Sequence, residues 1–182
     1  PLPAPAESVS TSPDGKRVAA GVTVAGKEQV RIFDPATGKE LLTMGDGETM
    51  PARVCSFLPD SRNLLVAGAD KTVRLVDAAT AKERLSFKAH ERQLFRAVFA
   101  PKGDVLATCA HLDATVRLWD AATGRLLRPI ATEHSNQPVS LAFAPDGRTL
   151  ASGGEFDGAV YLWDVATGRR LRGWEAHGRR ED

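Results

Sequence analysis

The sequence predicts an all-β protein made of four copies of one four-stranded unit, and three observations carry this prediction. A motif of the form Val-Arg-Leu-Trp-Asp-Ala-Ala-Thr-Gly recurs with its aspartate at positions 34, 77, 120 and 164, in steps of 43, 43 and 44 residues. A Pro-Asp-Gly-like turn begins at 13, 59, 101 and 145 with nearly the same period. The segments between these markers alternate apolar and polar residues, as strands do. Two markers with one period indicate a repeat architecture.

Composition narrows the class of protein. The chain has 182 residues, of which 42% are hydrophobic and 26% charged, with a net charge of +1. This is an ordinary globular composition that can bury a core. The small net charge argues against nucleic acid as the main ligand, and no apolar run reaches the roughly 20 residues of a membrane helix. Cys55 and Cys109 lack CxxC spacing; we expect free core thiols, with a disulfide as the alternative.

The domain organisation follows from the repeat. Residues 1–6 form a Pro/Ala-rich linker, residues 7–174 hold the four units, and residues 175–182 form a tail leading to a further unit. The chain starts at Pro1 without Met, so we expect a piece of a longer protein. A missing targeting signal then says nothing about the compartment, although the cytoplasm is favoured.

Each unit is predicted to contain four strands, a to d, over about 8–44, 53–87, 95–130 and 139–174. In the last unit the strands cover 139–144, 149–153, 159–163 and 169–174. Glycines between them supply the positive φ of tight hairpins. The b–c connection of the first unit is the longest, and we expect an extended, mobile hairpin tip over 21–26.

Apolar residues recur in register and predict how the units pack. One set lies two residues before each turn proline: Thr11, Phe57, Phe99 and Phe143. A second set lies ten residues after each closing aspartate: Met44, Phe87, Ile130 and Trp174. A single sheet cannot bury both faces, whereas sheets stacked in a ring can.

Strand d is the predicted outer edge of each sheet. It is rich in charge, for example at Arg125, Arg169 and Arg172, and edge charges discourage pairing between molecules. The arginines could instead form a phosphate-binding patch, but acidic residues are interleaved with them. A solvated edge is therefore the preferred interpretation.

The last two units resemble the WD40 repeat family, whose signature is a Gly-His pair followed at a fixed distance by Trp-Asp. Trp119-Asp120 and Trp163-Asp164 match the ending, and His90 and His134 each lie 29 residues before the Trp. Ala89 and Glu133 replace the usual Gly. The resemblance spans about 168 residues, is weakest in the first unit, and is similar in style to bacterial members. It implies β-propeller blades.

The resemblance also implies a buried hydrogen-bond network in each well-formed blade. The residues concerned are His90, Thr108, Asp113 and Trp119 in the third blade, and His134, Ser152, Asp157 and Trp163 in the fourth. A His, a Ser and an Asp could also form a hydrolase triad. The structural role is preferred, because the set recurs with Thr, includes a Trp and lacks a nucleophile elbow. Apolar Ala20, Phe33, Val66 and Val76 should replace the network in the first two blades.

The two remaining histidines concern a possible metal site and the number of blades. His111 has no second ligand at suitable spacing, so no metal site and no cofactor are predicted. His177 follows Asp164 by 13 residues, as His90 follows Asp77, so the sequence is expected to stop just before a fifth blade. Members of the family most often have about seven or eight blades. Part of a larger propeller is the preferred arrangement; an eight-bladed ring of two copies and a closed four-bladed ring remain open.

The resemblance implies a non-catalytic interaction scaffold that binds a peptide or protein surface through its d–a and b–c loops. Leu112 and Phe156, in b–c turns, are the first candidate contacts, with Arg92 and Met50 as weaker ones. Alternatively, Leu112 and Phe156 only pack on a neighbouring blade. Two other functions remain open: an architectural or regulatory module attached to a catalytic domain, and a ligand-binding or enzymatic propeller. Neither nucleic acid nor membrane is a predicted partner, and self-association could complete the ring.

Overall fold

The computed structural model describes residues 6–45, 54–68 and 70–175. These residues contain sixteen β-strands and no helix. Each group of four consecutive strands forms one antiparallel sheet in which neighbours in sequence are neighbours in space. The predicted fold class, four four-stranded blades, is confirmed. The chain divides into two compact units, residues 1–94 and 95–182.

The first unit contains blades 1 and 2. The strands of blade 1 are β1 (Ala6–Thr11), β2 (Val18–Val24), β3 (Lys27–Phe33) and β4 (Glu40–Met44). The strands of blade 2 are β5 (Val54–Phe57), β6 (Asn63–Ala67), β7 (Thr72–Asp77) and β8 (Glu83–Lys88). The hydroxyl oxygens of Ser8 and Ser10 accept the backbone N–H groups of Cys55 and Phe57 at 3.1 and 2.9 Å. Strand β1 is thereby fixed against β5.

Blades 1 and 2 share an apolar core. It buries side chains from both sheets: Ala19, Val30, Ile32, Met44, Cys55, Phe57, Leu64, Val66, Val76 and Ala78. Because every second residue of a strand points to one face, each sheet contributes one side to this layer. The predicted face-to-face stacking is present within this unit.

The second unit contains blades 3 and 4. The strands of blade 3 are β9 (Leu94–Phe99), β10 (Val105–Ala110), β11 (Thr115–Asp120) and β12 (Leu126–Ala131). The strands of blade 4 are β13 (Pro138–Phe143), β14 (Thr149–Gly154), β15 (Ala159–Asp164) and β16 (Arg170–Glu175). Their shared core contains Ala107, Cys109, Val116, Leu118, Ile130, Leu141, Leu150 and Trp163. The Arg128 guanidinium also donates to the carbonyls of Ala166 and Thr167 at 2.6 and 3.0 Å.

The aspartate that closes strand c folds the c–d turn of every blade. In blade 4, Asp164 Oδ1 accepts the backbone N–H and the hydroxyl of Thr167, each at 2.7 Å, and Gly168 adopts a φ of 71°. The side-chain hydrogen bond from Thr167 is the main cause of the lowered pKa of Asp164. In blade 2, several hydrogen bonds, of which the one from the Arg62 side chain is the strongest influence, lower the pKa of Asp77 to about 2. The repeated motif therefore encodes a turn as well as a strand end.

The hairpin predicted over 21–26 is extended, but its turn is shorter than expected. Strands β2 and β3 continue to Val24 and Lys27, which are paired. Only Ala25 and Gly26 form the turn, with φ values of 51° and 78°. Positive φ at both central residues is the two-residue turn that matches strand twist. The extra residues lengthen the two strands.

Two predicted core positions are wrong. Thr11 is exposed. It lies on the opposite face of β1 from Ser8 and Ser10, and that face does not pack on blade 2. Trp174 is 48% exposed, whereas Met44 and Ile130 at equivalent positions are each 2% exposed. Trp174 pairs with Val160, and this face of blade 4 stays partly open in the described part of the chain.

Candidate interaction surface and its supporting network

A chain of hydrogen bonds crosses the interior of blade 4. Trp163 Nε1 donates to Ser152 Oγ at 2.8 Å. Ser152 Oγ lies 2.9 Å from His134 Nε2, and His134 Nδ1 lies 3.0 Å from Asp157 Oδ2. With the proton on Nδ1, the imidazole accepts from the serine and donates to the carboxylate. Each bond contributes about 0.5–1.5 kcal/mol, and an orphaned buried partner costs more.

The charge of Asp157 is held by several donors. Its carboxylate also accepts the backbone N–H groups of Ser135 at 2.9 Å and Ala159 at 3.0 Å. Burial is the largest single influence on the pKa of Asp157 and raises it, but the bonds from Ala159, Ser135 and His134 together outweigh burial and lower the pKa overall. The carboxylate therefore stays ionised at neutral pH and joins loop 132–137 to the b–c turn.

Two residues beside this network cannot be recognised from the repeat motif. The Tyr161 ring lies 4.8 Å from the His134 ring between centroids. At Gly154, an added Cβ would lie 2.5 Å from His134 Nδ1 and would collide with the Asp157 carboxylate. Glycine is thus required at 154 by space rather than by backbone conformation. Sequence reasoning missed both residues.

Blade 3 repeats part of this arrangement. Trp119 Nε1 donates to Thr108 Oγ1 at 2.8 Å. Asp113 Oδ1 accepts the backbone N–H and the hydroxyl of Thr115 at 3.0 and 2.6 Å. His90, the fourth predicted member, is 1% exposed and belongs to the first compact unit.

Blades 1 and 2 place apolar side chains where the network would be. Val66 and Val76 are fully buried and Ala20 is 3% exposed. Asp70, the equivalent of Asp157, instead pairs with Arg74 at 2.5 Å. An exposed pair of this kind contributes little to stability.

The group His134–Ser152–Asp157 has the connectivity of a hydrolase triad, but its surroundings differ from those of a catalytic site. Ser152 is 1% exposed and its hydroxyl oxygen already accepts the Trp163 indole N–H. A nucleophile must reach a substrate carbon and be free to attack it. The buried hydroxyl meets neither condition, so the geometry fits a structural role.

The predicted contact residues occupy different places. Leu112 and Phe156, at the b–c tips of blades 3 and 4, are 58% and 72% exposed. Arg92 is exposed in the first unit. Met50 lies outside the described residues.

One buried residue that sequence reasoning missed connects the two tips. Gln137 is 2% exposed; its Oε1 accepts the backbone N–H of Leu112, and its Nε2 donates to the Glu155 carboxylate. Leu112 has a φ of 50°, a left-handed conformation that costs a non-glycine residue about 1–2 kcal/mol. The extra residue in the b–c turns was visible in the sequence, but nothing in the repeat pointed to Gln137.

Other features of the described residues offer no second chemical centre. They contain no group of three or more His, Cys, Asp or Glu side chains placed to hold a metal ion. Cys55 and Cys109 are free and buried. A groove of about 840 Å³ beside β16 is lined by residues that include Glu133, Tyr161 and Arg170, and Arg170 is already paired with Glu133. Across the described ranges, no helix is long and apolar enough to cross a membrane.

Comparison with known proteins identifies the family. The family described as WD domain, G-beta repeat (WD40) matches residues 39–77, 81–120 and 127–164, more than half of the chain. The chain belongs to the WD40 family. Each match ends at a closing aspartate, Asp77, Asp120 or Asp164. The WD40 sequence unit therefore runs from strand d of one blade to strand c of the next, offset by one strand from the sheets.

Solved structures share the fold. One chain of the crystal structure of a mitotic checkpoint complex matches with a TM-score of 0.82 and 22% sequence identity over 97% of this chain. At this identity the likeness shows the fold alone. This chain spans 55% of that chain, about half its length. No curated protein matches the sequence.

Proposed function

We propose that this WD40 chain is a non-catalytic interaction scaffold that binds a peptide or protein surface through its b–c and d–a loops. The observation that carries the proposal is the exposure of Leu112 and Phe156, 58% and 72%, at neighbouring hairpin tips. Exposed apolar side chains on a rigid support are typical contact residues. Arg92 is a further, weaker contact.

The polar network supports the scaffold and performs no chemistry in this proposal. Ser152 and His134 are buried and satisfied by each other, by Trp163 and by Asp157. Their bonds fix the loop before β13 to the hairpin tip that carries Phe156. Stability and binding should therefore depend on different residues.

The partner is a protein rather than a nucleic acid or a membrane. The net charge of +1 gives no basic footprint, and one of the solved structures that share the fold is part of a protein complex. Val160, Leu162 and Trp174 leave an apolar face of blade 4 partly exposed, which favours a further blade, from a longer chain or from a second copy. The two buried free thiols favour a reducing compartment such as the cytoplasm.

A second function remains compatible with this surface: a regulatory propeller attached to a catalytic domain. The same tips would then bind that domain within one protein. Site-specific cross-linking separates the two functions, because an attached domain gives an intramolecular product and a separate partner gives a heavier one.

The test places a photoreactive phenylalanine analogue at position 156 or 112 and irradiates the protein in its native cells. We expect a defined cross-linked protein from both positions. The control position is Lys102, an exposed residue in the a–b turn at the opposite end of blade 3. Equal cross-linking from Lys102, or none from the tips, would contradict the proposal.

A further inference from the structure

Gln137 fixes two hairpin tips at once. It lies immediately before β13 and its side chain is buried. The side-chain oxygen accepts the N–H of Leu112, the side-chain nitrogen donates to Glu155, and the backbone carbonyl accepts the N–H of Glu155 at 3.3 Å. Donors and acceptors of one amide therefore connect the tip of blade 3 to the tip of blade 4. A buried amide with both ends bonded holds its partners in one geometry.

The backbone of Leu112 shows that this geometry is imposed by its surroundings. Its φ of 50° is unfavourable for leucine. Such a conformation persists where neighbouring groups determine it, and it is concentrated at binding and switching sites. Here the bond from the Leu112 N–H to Gln137 holds the turn, and the leucine side chain projects into solvent.

An uncompensated negative charge lies beside the exposed apolar groups. Glu155 precedes Phe156 in sequence and shares Gln137 with Leu112. Among the described residues, its carboxylate is bonded to the neutral Gln137 amide and has no cationic partner. The two exposed apolar side chains and this carboxylate define a surface that we name the tip surface: Leu112, Glu155 and Phe156.

We propose that the tip surface recognises a protein segment in which an apolar side chain stands next to a lysine or arginine, and that Gln137 is its positioning residue. This inference rests on the proposed scaffold function and specifies its partner. The apolar side chain contacts Leu112 and Phe156, and the basic group pairs with Glu155 by a charge-assisted hydrogen bond. Holding the tips in advance lowers the entropic cost of binding.

The experiment selects phage-displayed random 12-residue peptides on the immobilised chain and measures the affinity of the enriched peptides by calorimetry. We expect enriched sequences with Lys or Arg beside Leu, Ile, Phe or Met. Leu112→Ala and Phe156→Ala should each weaken binding by about tenfold or more. Glu155→Gln should weaken binding and reduce its dependence on salt concentration, whereas Lys102→Ala should change nothing.

The role of Gln137 needs its own readout. Gln137→Glu keeps an acceptor for Leu112 but sets two carboxylates against each other, so affinity should fall and the Leu112 amide should exchange faster with solvent. The double variant Gln137→Glu, Glu155→Gln restores a donor and acceptor pair and should recover slow exchange. Thermal unfolding of each variant shows whether it is folded.

The outcomes separate the levels of the proposal. Loss of binding in Leu112→Ala and Phe156→Ala with no effect of the Gln137 or Glu155 variants overturns the inference but leaves the scaffold function standing. Enriched peptides that are acidic, or that bind all tip variants equally, overturn the tip surface as a binding site. Failure to enrich any peptide counts against the inference, and cross-linking at 156 then decides whether the scaffold function falls with it.

Discussion

Replacing Asp157 by alanine removes the acceptor at the end of the blade 4 network. His134 Nδ1, whose ring is buried, then has no partner, which costs about 1–3 kcal/mol. The half-buried N–H of Ala159 loses its bond as well, at about 1 kcal/mol. The N–H of Ser135 is exposed and can bond to water. We therefore expect the free energy of unfolding to fall by about 2–4 kcal/mol.

Tryptophan fluorescence measures this effect in the right place, because all three tryptophans, Trp119, Trp163 and Trp174, lie in the second unit. With a urea slope of about 2 kcal/mol per molar, the midpoint should fall by roughly 1–2 M. The matched control is Asp146→Ala, which removes an exposed carboxylate that accepts the N–H of Arg148 at 2.8 Å. If both variants shifted the midpoint equally, the network would not carry the stability assigned to it.

Three further predictions follow from local geometry. Gly154→Ala forces a Cβ into the network and should lower the free energy of unfolding by about 1–3 kcal/mol, whereas Gly153→Ala, whose Cβ meets its nearest atom at 3.7 Å, should lower it less. Equal effects of the two variants on the urea midpoint would contradict this steric explanation. Hydrogen bonds, chiefly the one from Arg62, lower the pKa of Asp77 to about 2. The ionised carboxylate therefore stabilises the fold above about pH 4, and this stabilisation is lost between about pH 4 and 2. The free energy of unfolding, measured by circular dichroism in urea, should therefore fall over this pH range. Asp77→Asn should make that fall smaller. Trp174→Glu should reduce the binding of a hydrophobic dye with little change in the free energy of unfolding. Unchanged dye binding would show that the dye does not bind to this face of blade 4.

The fold could be predicted because its signals are local and repeated. Strand alternation and turn residues such as Gly168 recur at one period, so each unit supports the interpretation of the others. The WD40 resemblance also brought together His134, Ser152, Asp157 and Trp163 from four separate segments of blade 4. Spacing alone would not have given the direction of the bonds.

The errors and omissions have physical causes. The length of the b–c connection in blade 1 suggested a hairpin tip over 21–26, but most of these residues lie in paired strands, which absorb extra residues without changing the core. Thr11 and Trp174 occupy core positions in the repeat, yet a repeat predicts burial only where a neighbouring sheet covers the face. Gly154 and Gln137 act through contacts between distant segments, which a single sequence does not display.

The most direct test compares Ser152→Ala with Phe156→Ala in two measurements: the free energy of unfolding, and the capture of a partner by the photoreactive group at position 112. We expect Ser152→Ala to lower the free energy of unfolding by about 1–3 kcal/mol and to leave capture unchanged while the protein is folded. Phe156→Ala should leave the free energy of unfolding unchanged and reduce the capture of the partner. Loss of capture or of an enzymatic activity in Ser152→Ala at unchanged stability would contradict the assignment of the network to structure and the tips to binding.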